Sequence, residues 1–159
     1  MKQSEMAKWL KALIIFTGLV GVVFLIFIAP NALAELSSDP SHIDYLLPWG
    51  IGILCITAIP VYIALYKGWQ ICTEISKNNS FCKKNSRLLR DISHLAIADS
   101  VIYVGCAISM VALGHIDVVV LILIFLAVFI GIFIAVLTAA LSHLTDKASA
   151  LKKENDLTI

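Results

Sequence analysis

One acidic side chain stands inside an apolar run of this sequence, and it is the first candidate for chemistry. Asp99 lies in the run 95–113, with Tyr103 four residues further on. A carboxylate within a bilayer is costly unless it is paired or hydrated, so it is a candidate proton or cation site. Asp99 also lies only about one helical turn past the expected interface. A structural role therefore competes, in which Asp99 meets water or pairs with Lys67 or Lys11.

No catalytic constellation accompanies this acid. Ser93, His94 and Ser100 are near in sequence, but His94 and Asp99 fall on different faces of one helix, unlike a nucleophile and its base. We therefore expect no enzymatic activity and no catalytic residue. The four cysteines contain no CxxC pair and match no zinc spacing, so we expect no metal and no cofactor. A net charge of +1 without a recognition motif argues against direct nucleic-acid binding.

Four long apolar runs must position these residues. The 159 residues are 60% hydrophobic and 14% charged, whereas soluble chains are about 25% charged. At about 1.5 Å per helical residue, each run covers most of a hydrocarbon core about 30 Å thick. The expected spans are 12–29, 48–66, 95–113 and 118–141, with a loop over 67–94 and a tail over 142–159. We predict an all-α polytopic membrane protein, with four transmembrane helices in a single membrane domain over residues 1–159.

The distribution of basic residues predicts the orientation. All 12 Lys and Arg lie in the first eleven residues, in the loop 67–94 or in the tail, and the loops 30–47 and 114–117 have none. Basic segments stay on the cytoplasmic side of a membrane. Both termini and the loop 67–94 are therefore expected to be cytoplasmic.

Small residues recur on the last two spans. They are Ala98, Gly105 and Ala112 on the third, seven residues apart, and Ala127, Gly131, Ala135 and Ala139 on the fourth, four residues apart. Small residues let two helix backbones approach closely in a membrane. We expect the third and fourth spans to pack as an antiparallel pair. The alternative use of the fourth stripe is a homo-oligomer.

The basic loop leads into the third span as one helix. Ser80 is the expected N-cap of this helix. Phe81, Asn85 and Asp99 share a stripe that is unusually polar for a face meant only to pack. Asn85 could fix the pairing of two helices through a hydrogen bond, or it could bind a partner. The tail begins as a helical continuation. Its last residues, 154–159, either fray or add as a β-strand to the sheet edge of another protein.

Two short motifs carry a family resemblance. They are Phe81, Asn85, Leu88, Leu89 and Ile92 before the third span, and the ending Lys152, Lys153, Glu154, Asn155, Asp156, Leu157, Thr158 and Ile159. With four spans around them, the chain resembles the bacterial membrane family catalogued as domain of unknown function 2975. The resemblance implies a bacterial cytoplasmic membrane location and no established activity. It also implies a partner, because members are commonly encoded beside a small helix-turn-helix regulator.

The leading hypothesis is a non-enzymatic membrane protein that tethers or regulates a small cytoplasmic helix-turn-helix transcription regulator, with the lipid bilayer as its other partner. The residues expected to bind the regulator are Phe81, Asn85, Arg87, Arg90, Glu154, Asp156, Leu157 and Ile159. The alternative is a small transporter, channel-like or immunity protein, with an ion or amphipathic ligand in a pocket near Asp99 and Tyr103. A purely structural subunit of a larger assembly is the third hypothesis.

Overall fold

Four long helices make up the part of the chain that the computed structural model describes, which is residues 3–31, 43–77, 79–112 and 118–156. Helix α1 covers Gln3–Val23 and continues through a π-helical turn, Phe24–Ile28; α2 covers Ile43–Ser76, α3 Lys83–Ala112 and α4 Val118–Asp156. Each is long and apolar enough to cross a membrane. The predicted all-α fold with four membrane helices is confirmed.

The helices extend beyond the predicted spans. Helix α2 runs on to Ser76 and α3 begins at Lys83, so most of the stretch predicted as the loop 67–94 is helical. The carbonyl of Cys82 accepts the first backbone bonds of α3, from the amides of Asn85 (3.0 Å) and Ser86 (3.3 Å). That acceptor marks the N-cap position. Cys82 therefore occupies it, and the expected cap at Ser80 is wrong.

Helix α4 is much longer than a membrane is thick. Its 39 residues span about 58 Å, against a hydrocarbon core of about 30 Å. Thr145 is buried beyond the predicted span 118–141, whereas residues 150–155 are all exposed. The tail is thus a projecting helix as far as Asp156, and residues 154–156 are not extended as β-strand addition would require.

Each helix packs against the next one in the chain. Among the described residues, backbone approaches within 8 Å join α1 to α2, α2 to α3 and α3 to α4, and no other pair of these helices. The neighbours are antiparallel, so α1 and α3 begin, and α2 and α4 end, at one end of the molecule. We call it the basic end, because all the described lysines and arginines lie there. They are Lys8, Lys11, Lys67, Lys77, Lys83, Lys84, Arg87, Arg90, Lys147, Lys152 and Lys153.

The closest packing is between α3 and α4, as predicted, but it uses different residues of α3. The hydroxyl of Ser93 donates to the Ala135 carbonyl at 2.8 Å, and Ala135 is 3% exposed. A Cβ placed on Gly131 would overlap Ser100 Oγ. The predicted stripe of α3 is wrong, because Ala98, Gly105 and Ala112 are all exposed.

Helix α2 approaches α1 closely at two glycines of α1. The Tyr62 hydroxyl donates to the Gly18 carbonyl at 2.9 Å, and a Cβ on Gly21 would lie 3.0 Å from the same hydroxyl oxygen. A larger residue at Gly21 would therefore push Tyr62 away from α1. The first two helices are thus joined by a polar bond at a site where the Tyr62 hydroxyl fits closely against Gly21.

The outer surface of the helices is apolar. Trp9, Phe16 and Phe125 are 69%, 66% and 70% exposed, and many Ile, Leu and Val side chains of all four helices are similarly open. Continuous exposed apolar surface on this scale does not occur on soluble monomers. It meets lipid, and the chain is a membrane protein.

Candidate functional site

A cavity of about 570 Å³ lies among the four helices. We call it the central cavity. Each helix contributes to its wall: α1 at Ile14, α2 at Pro60, α3 at Asp99 and α4 at Gly131, among others. The polar side chains of the wall are Thr17, Asp99 and Tyr103, and the remaining wall residues are Ile, Val, Leu, Ala, Gly or Pro. Its polarity is therefore concentrated on α3.

Among the described residues that line the cavity, only Asp99 carries a charge. Its side chain is half-buried, and its Oδ1 atom is buried without a hydrogen-bond partner among the described residues. Oxygens of this kind are costly in an apolar environment. The carboxylate is thus placed where a ligand, a proton or a cation could compensate it.

The two cations considered as partners of Asp99 are engaged elsewhere. Lys67 Nζ lies 2.7 Å from Asp91 Oδ2, and Lys11 Nζ lies 5.0 Å from the centre of the Trp69 ring. Asp91 is eight residues, about 12 Å of helix, from Asp99. The predicted alternative in which Lys67 or Lys11 neutralises Asp99 is therefore wrong for this structure.

Tyr103 lies one turn beyond Asp99 and is bonded across to α2. Its hydroxyl donates to Thr57 Oγ1 at 3.2 Å, and Thr57 donates to the Leu54 carbonyl at 3.1 Å. Thr57 is 2% exposed. This relay ties α2 to α3 on the side of the central cavity remote from the basic end, and it fixes the Tyr103 ring in the cavity wall.

The predicted partner-binding residues in α3 and in the turn before it separate into exposed and buried ones. Phe81 is 59% exposed, and Arg87 and Arg90 are exposed. Asn85 is 2% exposed, and its amide donates to the Ser80 carbonyl at 2.9 Å. Asn85 therefore holds the turn that presents Phe81, whereas the other three face outward.

Two ion pairs fasten this surface to α2. They are Lys67 with Asp91 at 2.7 Å and Lys84 with Glu74 at 2.8 Å. The Lys84 side chain is 60% exposed, so this second pair is a solvated contact of small energy. Both pairs join α2 to α3 at the basic end.

The tail residues of the predicted partner site are only partly described. Glu154 is exposed on the projecting end of α4 and has interactions of its own. Asp156 is the last helical residue. Leu157 and Ile159, like the side chain of Asp156, lie outside the described residues.

Sequence reasoning missed the serines of α3. Ser86, Ser93 and Ser100 recur every seven residues and are 1%, 5% and 6% exposed. Their spacing is the signal that could have found them, because a seven-residue period keeps one helix face toward its neighbour. The predicted homo-oligomer stripe of α4 is partly used in the same contact, at Gly131 and Ala135, while Ala139 is exposed.

Comparison with known proteins identifies relatives but no activity. The family model described as "Protein of unknown function (DUF2975)" matches residues 12–159. The chain is also similar to the "Uncharacterized membrane protein YoaS" of Bacillus subtilis (strain 168), with 32% identity over 160 residues that cover 95% of this chain and 96% of that protein. No solved structure matches the chain.

Proposed function

The chain belongs to the DUF2975 family of membrane proteins, and we propose that it is a non-enzymatic tether for a small cytoplasmic helix-turn-helix regulator. The regulator would bind at the basic end. The observation that carries the proposal is the ring of Phe81, which is 59% exposed and lies in a turn flanked by basic residues. An exposed aromatic beside arginines is typical of the residues that dominate binding energy at protein interfaces.

The surface has three parts that can act together. Phe81 stands on the turn between α2 and α3, Arg87 and Arg90 are exposed on α3, and the last exposed residues of α4 project beside the same end. Basic segments mark the cytoplasmic side of a membrane protein. In the proposed orientation this surface therefore faces the compartment that holds DNA-binding proteins, and the opposite end of the four helices faces outward.

Regulation through this surface requires two states of the membrane protein that bind the regulator with different affinity. A partner with equal affinity for both states shifts nothing. The ion pair between Lys67 and Asp91 spans α2 and α3 on the side of the central cavity nearer the basic end. A change in the cavity that moves α2 against α3 would thus be transmitted to the turn that carries Phe81.

Co-purification tests the tether. We expect the N-terminally tagged chain, extracted from native membranes in mild detergent, to bring down a small helix-turn-helix protein that mass spectrometry identifies. Phe81→Ala should lower its recovery about tenfold or more, because truncating a central aromatic anchor commonly costs about 2 kcal/mol. Deleting Glu154 to Ile159 should do the same if the tail is part of the surface.

Phe125→Ala is the matched control, since Phe125 is 70% exposed on the part of α4 remote from the basic end. It should leave recovery unchanged. A preparation that contains no DNA-binding protein, from cells that express both partners, would contradict the tether. Equal recovery with wild-type chain and Phe81→Ala would remove Phe81 from the interface.

A second candidate function is favoured by the central cavity. In this proposal the chain is a small transporter, channel-like or immunity protein that handles an ion or an amphipathic compound next to Asp99. The unpartnered Oδ1 of Asp99 in an apolar wall supports it, because ionisable groups inside a membrane are rare and mark substrate or proton pathways.

Proteoliposomes test this second candidate. With a potassium diffusion potential imposed and a pH-sensitive dye inside, the wild-type chain should take up protons, and Asp99→Asn should reduce the rate to that of empty vesicles. Protein abundance and elution volume should be unchanged in the variant, because the amide has the same shape as the carboxylate. Equal rates for wild-type chain and empty vesicles would exclude proton transport.

A further inference from the structure

We propose that the central cavity binds a lipophilic organic cation of single charge, which enters from the bilayer between α1 and α4 and places its charge beside Asp99. The inference rests on the second candidate function, a ligand pocket near Asp99. It adds the chemical class of the ligand and its route of entry.

The charge of the ligand follows from the surroundings of Asp99. Among the described residues the buried Oδ1 atom has no donor, while Lys67 is held by Asp91 and Lys11 by the Trp69 ring. A carboxylate in an apolar wall attracts a positive group more strongly than one in water, because the local dielectric constant is lower. A ligand that brings one positive charge would complete the site.

The apolar character of the ligand follows from the rest of the wall. A bare metal cation requires several oxygen ligands, and the polar wall residues are limited to Thr17, Asp99 and Tyr103. The hydroxyl hydrogen of Tyr103 is already given to Thr57. The remaining wall is aliphatic and suits hydrocarbon. The volume, about 570 Å³, lies in the range of small-molecule sites, about 300–1,000 Å³.

The route of entry follows from the helix order. Helices α1 and α4 both line the central cavity, yet no described residue of one comes within 8 Å of the other by backbone distance. Three wall residues beside this gap are exposed: Thr17 on α1, and Ile130 (48%) and Ile134 (41%) on α4. The gap opens sideways toward lipid, where lipophilic cations accumulate.

Binding of tritiated tetraphenylphosphonium to the purified full chain in lipid nanodiscs tests the proposal. We expect saturable binding of one cation per chain. Asp99→Asn should weaken it about thirtyfold or more, because a desolvated charge pair loses one member, and Asp99→Glu should restore most of it. The isosteric anion tetraphenylborate should not compete.

Two further variants locate the site and its entrance. Asp146→Asn is the matched control, because Asp146 is a half-buried acid of α4 outside the cavity wall. This variant should bind tetraphenylphosphonium with the affinity of the wild-type chain. Thr17→Trp places a large ring at the gap between α1 and α4 and should slow association about tenfold or more. Thr17→Trp also keeps the proposal testable if Asp99→Asn fails to fold.

Several results would overturn the proposal. One is the absence of saturable tetraphenylphosphonium binding by the folded wild-type chain. Another is equal affinity of the wild-type chain and Asp99→Asn for this cation. The third is a co-purified phospholipid that fills the cavity equally in the wild-type chain and in Asp99→Asn. If Asp99→Asn abolished proton uptake in proteoliposomes while both proteins bound the cation equally, the ligand class would be wrong and the pocket function would stand. Recovery of the helix-turn-helix regulator is measured separately and depends on neither result.

Discussion

Gly131→Leu is expected to lower the free energy of unfolding by about 3 kcal/mol, because α3 and α4 pack closely at this glycine. A Cβ there would overlap Ser100 Oγ and would lie 3.6 Å from the carbonyl oxygen of Ala96. The Ser100 hydroxyl could turn aside only by giving up its 2.8 Å bond to that carbonyl. A leucine must therefore either break this bond or separate the helices, and both destabilise the packing. Titration of the detergent-solubilised chain with sodium dodecyl sulfate, followed by tryptophan fluorescence, measures the change.

Gly105→Leu is the matched control for this substitution. Gly105 is also in the apolar part of a helix, but a Cβ there meets nothing within 4 Å, so the change should stay within about 0.5 kcal/mol. A second control uses the smaller Gly131→Ala. Its cost should vanish in a Ser100→Ala background, since the Ser100 Cβ would be 3.7 Å away, an ordinary contact. Equal stability of Gly131→Leu and Gly105→Leu would refute the packing.

Hydropathy was sufficient to predict the number and type of the helices. An apolar run long enough to cross a bilayer must form a helix, because every backbone polar group needs a partner inside the segment. The same signal cannot place helix ends. Beyond Tyr66, α2 becomes polar enough to look like a loop, although it continues to Ser76. Residues in water can extend a helix that the membrane has already nucleated.

The face of α3 was predicted from the wrong small residues. Ala98 and Gly105 are exposed, whereas Ser93 and Ser100 are buried against α4. Serine, alanine and glycine all permit close approach in a membrane, so size alone does not distinguish the faces. The difference is that a buried hydroxyl can also bond a carbonyl of the opposite helix, as Ser93 does with Ala135.

The central cavity depends on geometry that no local pattern encodes. Asp99 and Tyr103 were recognisable as polar residues in an apolar run, and both line it. The cavity is open on its fourth side because α1 and α4 stand apart at the backbone level. Their separation is set by the three successive helix crossings α1–α2, α2–α3 and α3–α4. The alternative in which Asp99 pairs with Lys67 is wrong for a similar reason, since the height of α2 brings Lys67 level with Asp91.

Ser142→Leu is expected to lower the free energy of unfolding by about 3 kcal/mol, through lost hydrogen bonds and overpacking together. Ser142 is 3% exposed, and two reciprocal bonds join it to α3. Its hydroxyl donates to the Ser86 carbonyl at 2.8 Å, and the Ser86 hydroxyl donates to the Ser142 carbonyl at 3.0 Å. A leucine removes the bond that the Ser142 hydroxyl donates. Its volume also forces α4 away from the Ser86 hydroxyl, which weakens the second bond. The same detergent titration measures the loss.

Smaller substitutions separate the two causes. Ser142→Ala removes one bond without adding volume and should cost about 1 kcal/mol, and Ser109→Leu, an exposed serine of α3, should be nearly neutral. Because the two hydroxyl oxygens lie 3.3 Å apart, Ser86→Ala and Ser142→Ala should not be additive, and a double-mutant cycle should give a coupling of at least about 0.5 kcal/mol. Strict additivity would show that the two serines act independently, and a neutral Ser142→Leu would show that α3 and α4 do not meet there.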